Sequence, residues 1–249
     1  MTLNRPEVRN AFDDVLIANL TRTLLDLEKD DSVRVVVLAG AGKAFCAGAD
    51  LNWMKRMAGY GYEQNLGDAR ALAAMLKTLD RLSKPTVARV HGPAFAGGVG
   101  LVAACDIAVG AAEAEFSLTE VKLGLSPATI SPYVMRAMGE RASRRYFLTG
   151  ERFGALEAQR LGLLSVVSAS QKLDAEIDEI LQQLVQGGPK AHEKIKDLVS
   201  AVSRGGPITD AVIDDTARRI AEIRVSPEGR EGIASFLEKR RPGWLAPKD

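Results

Sequence analysis

With 249 residues, 46% of them hydrophobic and 26% charged, the chain can bury a large core and needs no disulfide or metal staple to fold. A formal charge of +1 provides no field to draw in nucleic acid or a membrane surface. The two cysteines (Cys46, Cys105) and two histidines (His91, His192) exclude a disulfide framework and a Cys/His metal cluster, and no metal is expected. The start of the chain, polar at Arg5, Glu7 and Arg9, carries no secretory signal, and no apolar run reaches the ~20 residues that span a bilayer. The expected setting is cytoplasmic and reducing, with no nucleic acid and no membrane as partner.

In chain order, Leu16, Leu20, Leu24 and Leu27 are spaced as the stripe of an amphipathic helix over 11–29. Residues 33–39 form a continuous Val-rich run, the pattern of a strand buried on both faces. A glycine-rich loop follows over 40–48. Helical spacing returns over 63–82 at Leu66, Ala69, Leu72, Leu76 and Leu79. Residues 85–91 read as a second buried strand. Gly97-Gly98 then opens a short apolar helix to Ala104, and 106–110 read as a third strand. This alternation predicts an α/β core with parallel strands. Beyond residue 131 the pattern is mostly helical, broken at Gly187-Gly188-Pro189 and Gly205-Gly206-Pro207 and interrupted by a short strand at 164–168. A boundary near 185–190 separates a core (1–187) from a helical region (188–249). The latter is too small for its own core and is expected to pack on the core or on a neighbouring subunit.

Gly40-Ala41-Gly42-Lys43 looks like a phosphate-binding loop but fails its pattern: Val37 stands at the first glycine position and Ala44 at the Ser/Thr position. Two small-residue turns carry more. Ala47-Gly48-Ala49-Asp50-Leu51 follows the first buried strand, and Phe95-Ala96-Gly97-Gly98 follows the second. Each alone is the pattern of an ordinary turn. Together they lie at the strand ends where open α/β sheets bind ligands, and they let a ligand approach the backbone closely. The helix opened by Gly97-Gly98 also presents free N–H groups to developing negative charge. Two converging N–H groups of this kind make an oxyanion hole.

These turns, with Leu3-Asn4-Arg5-Pro6, Asn10-Ala11, Phe45-Cys46, Lys84-Pro85 and Cys105-Asp106, resemble the crotonase (enoyl-CoA hydratase/isomerase) superfamily from about residue 3 onward. The resemblance implies an α/β fold: a spiral of ββα units with a C-terminal helical trimerisation region, assembled as a homotrimer or dimer of trimers. It implies an acyl-CoA thioester as substrate, coenzyme A being part of that substrate and no separate cofactor being needed. By motif position the amides of Ala49 and Gly97 hold the thioester oxygen, with Ala47, Gly48, Asp50, Leu51, Gly98 and Gly100 around the substrate. The family's strand pair ahead of Leu-Asn-Arg-Pro is expected to be missing, because the chain begins at Met1-Thr2.

The resemblance also places a catalytic glutamate at Glu120. Without it, Glu120 reads as a surface carboxylate paired with Lys122 or another cation; its apolar neighbours Leu118, Val121 and Leu123 suit a partly desolvated acid. The family's other glutamate position is held by Gly100, which cannot activate water. A closer resemblance, to bacterial methylglutaconyl-CoA hydratases, runs through Asn52-Trp53-Met54, Glu120 to Leu125, Pro127 to Val134, Gly139 to Ala142 and Arg224 to Gly229. It implies hydration of 3-methylglutaconyl-CoA, with an isohexenyl analogue or a Δ3,Δ2-enoyl-CoA isomerisation as alternatives. A non-catalytic acyl-CoA- or RNA-binding scaffold is a further alternative. A distal carboxylate calls for a cation, with Lys122, Arg136, Arg144 and Arg145 as candidates. Arg9, Lys239 and Arg240 are candidates for the CoA phosphates by charge. Cys46, Cys105 and His91 read as packing residues, while Trp53 and Met54 suit either an acyl pocket or a helix start.

Overall fold

The computed structural model describes residues 1–203 and 206–245. Gly205, one of the expected helix breakers, lies outside them. Among the described residues the strands are β1 (Thr2–Leu3), β2 (Val36–Gly40), β3 (Thr86–Val90), β4 (Ala94–Phe95), β5 (Ile107–Ala111), β6 (Glu115–Ser117), β7 (Arg152–Gly154) and β8 (Val166–Ser168). The helices of the core are α1 (Asp14–Lys29), α2 (Leu51–Met57), α3 (Tyr62–Arg81), α4 (Gly97–Ala104), α5 (Ser131–Thr149), α6 (Ala155–Leu161) and α7 (Leu173–Gln186). They are followed by α8 (Pro189–Val202), α9 (Asp210–Val225) and α10 (Pro227–Leu237).

The main sheet has the order β1-β2-β3-β5-β8 and is parallel throughout. Its mostly apolar strands have a direct cause, because both faces are covered; Arg89 of β3 is the charged exception, paired with Asp174 of α7 (2.5 Å). Ala88 and Val90 of β3 join the large core with Leu20, Leu24, Leu76 and Leu79 of α1 and α3. Val87 and Val109 face the other way, onto Leu173 and Ile177 of α7. In α1 the buried stripe is Ile17, Leu20 and Leu24, with Leu16 and Leu27 at its margins. In α3, Ala69 is exposed and Met75 is buried instead, one turn of the stripe lying C-terminal to the expected one.

A second, short-stranded layer was not legible in the sequence. Parallel bridges join Phe12 to Ala49 and Cys46 to Ala94. From there β4 pairs with β6 in parallel, and β6 with β7 antiparallel. Each turn of the chain thus adds a strand to the main sheet and then a two- or three-residue rung to this layer. The Gly97 turn consequently follows β4 rather than leading directly from β3.

The core and the C-terminal helices are tied by polar contacts. Asp106 accepts from the Thr86 amide (2.8 Å) and the Lys196 ammonium of α8 (2.7 Å). Arg34 reaches the carbonyls of Gly187 (2.6 Å) and Trp244 (3.2 Å). Among the described residues no helix is long and apolar enough to cross a membrane.

Candidate active site

The second layer brings the two small-residue turns and Glu120 onto neighbouring rungs. Ala49 lies on the first rung, Gly97 just past β4, and Glu120 just past β6 in a 3-10 turn (Thr119–Leu123). In the first turn, the Phe12 amide donates to Gly48 O (2.7 Å) and the Asp50 amide donates to Phe12 O (2.7 Å). These parallel-bridge bonds flank residue 49 and leave its own N–H directed away from Phe12. Among the described residues no acceptor takes the Ala49 N–H or the Gly97 N–H. Both half-buried residues therefore carry an uncommitted donor.

Side chains from the start of the chain brace the first turn. Asn10 is fully buried; its Nδ2 donates to the carbonyls of Ala41 and Ala44 (2.8 Å each), and its Oδ1 accepts from the Arg5 amide (2.9 Å). The Arg5 guanidinium reaches Ala11 O (2.8 Å), Asp13 (2.9 Å) and Asp50 (3.1 Å). Asp50 caps α2 by accepting from the amides of Asn52 (2.8 Å) and Trp53 (3.3 Å). Burial opposes the Asp50 charge, but those two amides and Arg5 outweigh it and hold its pKa below the ordinary carboxylate value.

The second turn is held by backbone. The Phe95 amide donates to Cys46 O (2.9 Å), and the Ala96 amide donates to Ser117 O (2.8 Å), at the end of β6. Ala96 adopts φ 47°, ψ −116°, a conformation costly for a residue with a Cβ, and this kink turns the chain into α4 at Gly97. The two turns touch closely. A Cβ on Gly98 would stand 2.5 Å from Cys46 O, and one on Gly97 would stand 2.7 Å from the Phe12 ring. Phe12 thus brackets both donors, with its backbone at Ala49 and its ring at Gly97.

Glu120 is half-buried, and its Oε2 has no hydrogen-bond partner among the described residues. No ion pair holds it there either. Burial pushes its pKa above the ordinary carboxylate value, partly offset by its own backbone amide. Open backbone donors of this kind can stabilise an oxyanion, and a partly desolvated carboxyl can move a proton.

Comparison with known proteins places this chain in a family. The family model described as enoyl-CoA hydratase/isomerase matches residues 1–247. The chain belongs to the enoyl-CoA hydratase/isomerase family. A crystal structure of an enoyl-CoA hydratase from Shewanella pealeana superposes with a TM-score of 0.95 at 44% identity, covering 98% of this chain and 91% of that one. Pseudomonas aeruginosa AtuE superposes with a TM-score of 0.92 at 38% identity, covering 98% and 95%. Enoyl-CoA hydratase AKT6-1 of Alternaria alternata is 35% identical over 242 residues, covering 96% of this chain and 78% of the relative. The α/β architecture is thus the crotonase fold.

Within this family frame, the other sequence-derived candidates fall into distinct places. Ala47 is half-buried and donates to Arg9 O (3.0 Å), so the exposed Arg9 adjoins the first turn. Gly48, at φ 93°, would bring a Cβ to 3.1 Å from Ala96 Cβ. The Asp50 carboxylate is turned into the Arg5 brace, and Leu51 stands 74% exposed at the start of α2. Gly98 and Gly100 are buried against protein, Gly100 under Ile130. Lys239 lies just past α10, and among the described residues no hydrogen bond or ion pair joins its side chain to the turns. Arg240 is held by Glu231 (2.6 Å) and Glu238 (2.6 Å).

Of the cations considered for a distal carboxylate, Arg136 pairs with Asp80, Arg144 with Glu140 (3.1 Å) and Arg145 with Glu151 (2.7 Å); Lys122 is exposed. Trp53 is buried and donates to Asp68 (3.1 Å), fixing α2 on α3. Burial pushes the Cys46 and Cys105 thiols up to about 12, which leaves no thiolate to react. His91 Nε2 meets Gly42 O at 3.0 Å. A cavity of about 620 Å³ lies apart from the turns, at the strand starts between Cys105, Asp106 and α8. Sequence reading overlooked Phe12 and Ile130 as site residues and took Ala96 only as part of the second turn. Phe12 directly follows the Asn10-Ala11 motif and Ile130 lies inside the Pro127–Val134 motif, but nothing local marks either as a neighbour of a turn.

Proposed function

We propose that this chain is a lyase that adds water to 3-methylglutaconyl-CoA, giving 3-hydroxy-3-methylglutaryl-CoA. The observation that carries the reading is a half-buried carboxyl at Glu120, its Oε2 unpaired among the described residues, just past the strand that pairs with the one leading to Gly97, together with uncommitted amides at Ala49 and Gly97. Water oxygen bonds to the β-carbon as the α,β double bond shifts its electrons onto the thioester oxygen. That oxygen rests on the amides of Ala49 and Gly97. Glu120 takes the proton leaving the water and returns it to the α-carbon, so one carboxyl serves both halves and no proton is gained or lost. The choice of acyl group rests on the sequence blocks shared with methylglutaconyl-CoA hydratases. Arg9, beside the first turn, suits the CoA phosphates. Exposed Ile208, Phe236 and Leu237 on the C-terminal segment support assembly into a trimer, and the absence of any membrane-spanning helix among the described residues is compatible with a cytoplasmic enzyme.

One specific feature also favours a second reading. A single carboxyl suffices to carry a proton between α- and γ-carbons, as a Δ3,Δ2-enoyl-CoA isomerase requires. Turnover of glutaconyl-, crotonyl- and 3-enoyl-CoA thioesters in labelled water separates the two: hydration leaves labelled oxygen in the product and isomerisation does not. Glu120→Gln should lower turnover by about two to four orders of magnitude. Full turnover by that variant would remove Glu120 from the mechanism.

A further inference from the structure

The segment bearing Glu120 is fastened to the unit bearing Gly97 at two points. The first is the rung just before it, where the Ala96 amide donates to Ser117 O (2.8 Å) and Phe95 pairs with Ser117. The second is Ile130. This residue is 3% exposed and sits over Gly100, one turn into α4. A Cβ added to Gly100 would stand 2.3 Å from Ile130 Cγ2 and 2.8 Å from its Cβ. Between these points, residues 121–126 are exposed. Glu120 is therefore held between two anchors on the first turn of α4 or just before it, with further support from the Gly150 turn, whose carbonyl accepts from the Ser117 hydroxyl (3.2 Å) and whose α-carbon faces Val121 and Lys122.

The second anchor has little freedom to yield. Ile130 is β-branched and stiff about χ1. Its carbonyl accepts the amides of Tyr133 and Val134 (3.1 Å each) at the start of α5, and the turn behind it is closed by the Ser131 amide on Pro127 O (2.9 Å). A side chain at residue 100 would have to move the backbone of the 127–131 turn, and with it the C-terminal end of the segment that carries Glu120.

We propose that the seating of Ile130 on Gly100 is a positioning contact: it sets the placement of the Glu120 carboxyl relative to the Gly97 amide, and Ile130 is a positioning residue for proton transfer. The proposal rests on the reading of Glu120 as the proton-moving group, and it adds a reason for glycine at residue 100 that is separate from the loss of a second carboxyl. On this view Gly100→Glu alone lowers activity rather than supplying a second acid.

The test compares the full chain with Gly100→Ala, Ile130→Ala and the double variant, using crotonyl-CoA and 3-methylglutaconyl-CoA for turnover. Acetoacetyl-CoA serves as a probe whose enolate reports the two amides. Gly100→Ala is expected to lower kcat about a hundredfold, the scale of a misplacement near 1 Å, with KM and acetoacetyl-CoA affinity changed less than threefold. Ile130→Ala, which removes the anchor without a clash, should lower kcat by about tenfold, and the double variant should recover at least tenfold over Gly100→Ala. A second readout needs no substrate. Carbon NMR titration of the Glu120 carboxyl, assigned with Glu120→Gln, should show its midpoint falling toward the ordinary carboxylate range in Gly100→Ala and returning in the double variant. The positioning role is overturned if the Glu120 titration is the same in all four proteins, or if kcat losses are simply additive and track loss of folded protein. Failure of the functional reading looks different: Glu120→Gln keeps full turnover while the titration still shifts in Gly100→Ala.

Discussion

The two turns that supply the open amides do the same job by different means. The turn at Ala49 stands on side chains: Asn10, Arg5 and Asp50 hold it through hydrogen bonds that reach across more than thirty residues of sequence. The turn at Gly97 stands on backbone, on a strained Ala96 and on glycines that admit Phe12 and Cys46. A polar brace can be removed one hydrogen bond at a time, whereas a packed backbone turn fails as a unit. The first donor is therefore separable from the fold, and the second is not.

The largest expected effect exploits that asymmetry. The bridge between Phe12 and Ala49 does not use the Ala49 N–H, so Ala49→Pro removes a donor that no protein group needs. Turnover should fall by about 10²–10³, the usual cost of losing one oxyanion donor, while thermal unfolding shifts little. Gly97→Pro should instead abolish folding, because proline disfavours the Ala96 conformation and adds atoms against Phe12. Equal thermal losses in the two variants, read by calorimetry, would erase the contrast.

Asn10→Ala should rank next. It strands the buried Ala44 carbonyl, at roughly 1–3 kcal/mol for a group left unpartnered, and uncovers the part-buried Ala41 carbonyl and Arg5 amide at a smaller cost each, so a total loss of about 2–4 kcal/mol in urea unfolding is expected. Turnover should suffer with it, because the first turn loses its brace. Asp50→Ala should cost about 1–2 kcal/mol through the lost helix cap and Arg5 contact. The sign with pH follows from the lowered Asp50 pKa: this contribution is fully present above the unfolded carboxylate value and fades as pH falls through the folded one. Melting curves of the two proteins should therefore converge on acidification.

The smallest effect has the opposite sign. Ala96→Gly relieves the unfavourable φ of the second turn and should stabilise by about 1 kcal/mol after the extra chain entropy of glycine, with turnover kept. A destabilised Ala96→Gly would mean that the kink is not strained.

The motifs flanking the site were readable because each is local: glycines where chains approach and Val-rich strand runs; of the apolar neighbours of Glu120, Leu118 is buried but Val121 and Leu123 are exposed, so they are not what desolvates it. The boundaries of β2, β3 and β5 fall within a few residues of the sequence expectation for the same reason. The rungs of the second layer escaped because β4, β6 and β7 are two or three residues long, too short for any periodicity to register. Asn10 and Arg5 were visible as a motif, but their purpose was not, since their partners at Ala44 and Asp50 lie far along the chain. Gly100 reads from sequence as an empty position, whereas in the fold Ile130 fills it.

By itself, then, the sequence determined the α/β class, the family resemblance and which turns and carboxyl group were candidates, because composition, strand runs and glycine turns are properties of neighbouring residues. Tertiary structure alone decided that, among the described residues, the Ala49 and Gly97 amides are left without partners, that Phe12 stands between the two turns and that Glu120 loses water without gaining a cation. Those outcomes depend on burial and on hydrogen bonds between segments distant in the chain, and no local pattern encodes which group will be left unpaired.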